Sequence, residues 1–164
     1  MTDHEATLLA VLAELDDPER LERPRGYDRV ATGALFSDLV TRLDRDFATS
    51  CASERDTQDS SEYGRTTVPA DATACGTRIV VCVSKFGSLA LICADNPGAF
   101  LGTADAQAEG ELDAADLAKV HRALVDLGYV VVPEELLESE YTGPSSLFSR
   151  SGRSTWWDRF FGLF

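Results

Sequence analysis

Apolar residues recur at helical intervals in three stretches of the chain and run almost without a break in two others. Leu8, Leu9, Leu12 and Leu15 are three or four residues apart, which predicts a short helix over 4–15. The prolines and dense charge of "DDPERLERPRG" end it. Leu35, Phe36, Leu39, Val40, Leu43 and Phe47 make a second stripe, a helix over 34–48, with Asp38, Arg42, Asp44, Arg45 and Asp46 turned to water. Leu117, Val120, Leu124 and Leu127 make a third, over 113–127. Asp113 is its expected N-cap, Glu111 and Asp116 sit near its positive end, and Gly128 is placed to stop it.

The unbroken runs are Ile79–Val83 and Leu89–Cys93, joined by "SKFGS". They read as a hairpin whose strands are covered on both faces or lie centrally under helices. Thr66, Thr67 and Val68 run into Pro69, as at an edge strand or a strand end. "YVVVP" predicts a further strand and "PEELLESEY" a short helix opened by proline. The polar tract over 50–62 and "TGPSSLFSRSGRS" over 142–153 read as flexible connections. The resulting order, α–α–β–β–β–α–β–α–α, predicts one α+β domain over 1–164. Its antiparallel, hairpin-based sheet is packed with helices in two layers.

The chain closes on "STWWDRFFGLF", in which Trp156, Trp157, Phe160, Phe161 and Phe164 fall within nine positions. Ser154 or Thr155 can cap a helix here. On that helix Trp156, Phe160 and Leu163 share one side, and Trp157, Phe161 and Phe164 the adjacent side. A helix so nearly apolar all round needs burial, and the chain's own core is the nearest place for it. A partner or homodimer contact is the second reading, since such aromatic residues dominate interfaces. A membrane contact is the third. It is disfavoured because Asp158 and Arg159 nearly cancel and the segment is too short to span.

Charge narrows the classes further. The chain has 28 acidic and 15 basic residues, a net charge of −13. Phosphate backbones and anionic membrane surfaces are repelled by that balance, so neither nucleic acid nor membrane is expected as a partner. A basic protein is attracted. The first residues carry Asp3 and Glu5 where a secretion signal would carry Lys or Arg, and a cytoplasmic protein is expected. Cys51, Cys75, Cys82 and Cys93 form no CxxC pair, and His4 and His121 are remote from them in sequence. No metal, disulfide or cofactor is expected.

Catalytic candidates are sparse. His121 is the right residue type for a general base, yet it lies one position from a buried helical stripe, with no partner in sequence. Cys75, in "TACGT", is the most accessible thiol, but a nucleophile also needs a base and a lowered pKa. Asp95 follows a strand, as active-site carboxylates often do, although Asp-Asn-Pro-Gly is also ordinary turn chemistry. A small enzyme using these three is one alternative, and a structural or oligomeric subunit is another. The binding candidates are Glu134, Glu135, Glu138 and Glu140, together with Trp156 and Trp157. Joined to the acids at 105–116, the glutamates make a face that would steer a basic partner.

The succession of hairpin, helix, "GYVVVPEELL" and "TWWDRFF" over residues 64–164 resembles small bacterial proteins of the polymorphic-toxin immunity type. The resemblance leaves out the first helices and carries no site residue across. It implies a mode of action, in which a non-enzymatic protein binds and blocks a cognate toxin, often a basic one.

Overall fold

A computed structural model describes residues 2–55, 60–145 and 154–162. The first helix, α1 (Asp3–Leu15), begins at a reciprocal cap. The Thr2 hydroxyl accepts the Glu5 N–H, and the Glu5 carboxylate accepts the Thr2 N–H. α2 (Arg29–Asp46) begins at Asp28, whose carboxylate accepts the Ala31 N–H at 3.0 Å. The strands are β1 (Ala52–Arg55), β2 (Glu62–Val68), β3 (Ile79–Ser84), β4 (Leu89–Ala94) and β5 (Val130–Val131). The remaining helices are α3 (Thr103–Ala108), α4 (Ala114–Asp126), α5 (Glu134–Leu137) and α6 (Trp156–Phe161).

The sheet order is β1-β2-β3-β4-β5. The first four strands form an antiparallel meander, and β5 joins parallel to β4 after the two helices α3 and α4. The β3–β4 hairpin turns at Gly87 and Ser88, both at positive φ (56° and 53°). This two-residue geometry matches the right-handed twist of the flanking strands.

β3 and β4 are buried at every position, and their side chains alternate between two cores. Ile79, Val81, Val83 and Ile92 pack with Phe36, Leu39 and Leu43 of α2 and with Val120 and Leu124 of α4. Val80, Cys82, Leu91 and Cys93 pack on the other face with Leu8 and Leu12 of α1, Leu136 and Leu137 of α5, and the aromatic residues of α6. Each fully buried Leu, Val or Phe contributes about 1.5–3 kcal/mol of burial free energy, so neither core is incidental.

The α+β class, the antiparallel hairpin and the docked aromatic helix are therefore as expected. Helices cover both faces of the sheet, which the unbroken apolar runs of the hairpin imply and a two-layer description does not include. Two elements are additional. The 50–62 tract contains β1, whose four residues are all exposed, and the segment before α4 contains α3. α2 starts five residues earlier than the expected 34, after the Asp28 cap. Residues 56–59 of the first expected loop and 146–153 of the second lie outside the described residues.

Candidate functional site

α6 is held from three sides. Thr155 caps it in a box with Asp158, whose carboxylate accepts the Thr155 N–H at 2.9 Å. The Ser84 hydroxyl of β3 donates to the Phe160 carbonyl at 2.7 Å. The strongest tie is Arg159, which has no exposed surface. Its guanidinium pairs with Asp16 at 2.6 Å and donates to the carbonyls of Asp17, Arg20 and Leu21 at 2.9–3.1 Å. It lies 4.7 Å from the centre of the Phe86 ring and 5.0 Å from that of Phe160. Asp16 also accepts the Tyr141 hydroxyl at 2.5 Å. Both charged groups are paired and hydrogen-bonded, as a buried charge requires. Sequence reading sets Arg159 only against the neighbouring charge of Asp158; its partner, 143 residues away, makes it an internal clamp.

That clamp decides the fate of the two tryptophans. Trp156 is turned inward, stacked on Phe160 at 5.9 Å and edge-on to Tyr141 at 4.8 Å. Trp157, on the adjacent face, stays half-buried and stacks on Phe161 at 5.4 Å. Trp157 and Phe161 form one wall of a cleft of about 410 Å³ that also reaches Glu54, Glu62, Arg65 and Asp158. Gly64 lets β1 pass close to β2 here, since a Cβ at this position would strike the backbone of Glu54 and Arg55.

The charges of the cleft are unequal in availability. Glu62 is buried and holds Arg65 by two bonds of 3.0–3.1 Å, so these two neutralise one another. Burial pushes the Glu62 carboxyl upward and Arg65 pulls it back. Asp158 is partly engaged by the cap, whereas the Glu54 side chain is exposed and lies opposite Arg65 in the β1–β2 register, where its charge adds to that of Glu62 on the guanidinium. An aromatic face beside carboxylates is suited to a Lys or Arg side chain, which gains a charge pair and a cation–π contact together.

The four glutamates divide in the same way. Glu134 is buried, accepting the Gly98 N–H at 2.7 Å and facing the Cys93 thiol at 3.8 Å. Burial raises its carboxyl pKa, partly offset by the Gly98 N–H. Glu135, Glu138 and Glu140 are exposed. Glu140 bridges to Thr155, and the Trp156 N–H donates to the Ser139 carbonyl, so this acidic turn adjoins the start of α6.

His121, Cys75 and Asp95 are not brought together. His121 lines a groove that includes neither of the others, and Asp95 lines a separate one, where it pairs with Arg78 at 3.1 Å. The Cys75 thiol is exposed, and its pKa is raised, first by lost hydration and then by Asp113, Asp116 and Glu111. That is the reverse of an activated thiolate. All four cysteines are free. Among the described residues no cluster of three or more His, Cys, Asp or Glu could hold a metal, and no helix is long and apolar enough to cross a membrane. No protein-family model, curated protein or solved structure matches the chain.

Proposed function

We propose that the chain is a non-enzymatic protein-binding domain of the immunity type, which captures a basic partner and blocks it. The observation that carries this reading is the cleft beside Trp157, an aromatic wall with the exposed carboxylate of Glu54 at its rim. A Lys or Arg of the partner would insert there, and the exposed glutamates at the start of α6 would favour approach. The net charge of −13 supports the sign of the partner. The scattered placement of His121, Cys75 and Asp95 gives no competing support to catalysis.

The test is neutralisation. A basic protein retained by the chain at low salt is produced in cells alone and together with the chain. Growth is expected to be restored by the native chain and not by Trp157→Ala or Glu54→Lys. Retention of no basic protein, or equal protection by both variants, overturns the reading.

A further inference from the structure

β5 is two residues long, while its neighbour β4 has six. Their register, Leu89↔Val130 and Ala90↔Val131, leaves the rest of β4 without a strand partner on this side. The reason is local, because Pro133 lacks an N–H and begins the turn into α5. Val130 and Val132 donate their N–H groups to Ser88 and Ala90 at 2.9 and 2.8 Å. In a parallel ladder the residue between them then directs its own N–H and C=O away from β4. Val131 thus presents an open edge.

That edge borders the largest groove among the described cavities, about 630 Å³ in volume. Ile92, Val131, Val132 and Pro133 line its sheet side, and Leu117, Val125 and His121 line the opposite wall on α4. Val125 is one of few large apolar residues left half exposed, at 52%. The rim is close to neutral, unlike the molecule as a whole. His4, His121 and Arg122 border it, and its one carboxylate, Asp126, is engaged by Arg42 at 3.0 Å.

We infer that the groove between α4 and β5 takes an extended, acidic peptide segment of a partner protein, added to the sheet as a strand beside Val131. The open N–H and C=O supply backbone recognition, alternate apolar side chains fill the groove, and a carboxylate meets Arg122 and the histidines. A helical occupant would leave the edge groups of Val131 unmatched. This site is separate from the cleft beside Trp157 and prefers the opposite charge.

The test selects a displayed random-peptide library against the full chain and synthesises the enriched peptide for titration. The expected consensus alternates β-branched and other residues and contains Asp or Glu. Arg122→Glu is expected to weaken binding about tenfold, the size of one lost charge contact. Val131→Pro removes only the outward N–H, so the β4–β5 bonds persist and binding falls; circular dichroism checks that the variant is folded. Should Val131→Pro fail to fold, N-methylation of alternate peptide amides probes the same bond, with a similar loss expected. No enriched peptide, a basic or helix-periodic consensus, or affinity unchanged by Arg122→Glu and by removal of the backbone bond overturns the inference. So does a dimer in sedimentation that Arg122→Glu abolishes, since the occupant would then be a second copy.

Discussion

At the scale of single residues, the buried charges are where sequence and structure part most widely. Arg159 and Asp16 are both without exposed side-chain surface. Removing one partner leaves the other charge buried and unpaired, at a cost of roughly 3–5 kcal/mol. Arg159→Met is therefore expected to be severely destabilised in urea unfolding. Adding Asp16→Asn to it should recover part of the loss, because the two changes share one interaction. A double variant as unstable as the sum of the singles would mean that the pair is not coupled. Glu134 behaves differently. Its carboxyl pKa is raised in the folded state, so its contribution to stability is complete below the ordinary carboxylate value of about 4.3. That contribution is lost as pH rises through the folded value. Glu134→Gln keeps an acceptor for the Gly98 N–H and removes the titration. Relative to the native chain, the variant should be more stable at about pH 7 than at about pH 4. Urea midpoints at the two pH values check this, and an unchanged difference would refute it.

Among elements, α6 carries the clearest contrast. Trp156 is 2% exposed in the core, and Trp156→Ala should cost about 3–5 kcal/mol. Trp157 is half-buried and lines the cleft; Trp157→Ala should cost about 1 kcal/mol or less of stability. Thermal melts of the two variants test the difference directly. Similar losses would mean that Trp157 is core and not a binding wall. The inward turn of the aromatic helix was legible because its residues leave almost no polar face. The hairpin was legible from two unbroken apolar runs, and α4 from its cap at Asp113 and its stripe. β1 was not legible, because an edge strand with all four residues exposed carries no apolar alternation. α3 is six residues of small and polar type, with one buried alanine, so periodicity has nothing to register. The first turn of α2 exposes Val30 and is marked only by its cap. The cleft was half legible. Trp157 stands out in the sequence, but Glu54 joins it only through the β1–β2 pairing, which depends on a glycine at position 64.

For the whole molecule, the proposed binding assigns excess negative charge and a local aromatic anchor to different steps. A field of this sign speeds the approach of a basic partner, and salt weakens it, because the screening length is about 10 Å at 0.1 M ionic strength. In the proposed complex, contacts inside the cleft instead govern how long it lasts. Glu135 and Glu138 are exposed, and neither lines the cleft. Replacing both with Gln should slow association by a few-fold at low salt, leave dissociation unchanged, and have no effect at high salt. Trp157→Ala should do the opposite, raising the dissociation rate about tenfold or more at every salt concentration, as loss of a desolvated aromatic anchor does. Surface-plasmon kinetics over a salt series separates the two. If the glutamate pair changes dissociation, those residues touch the partner, and the binding surface extends from the cleft onto the acidic turn that adjoins the start of α6.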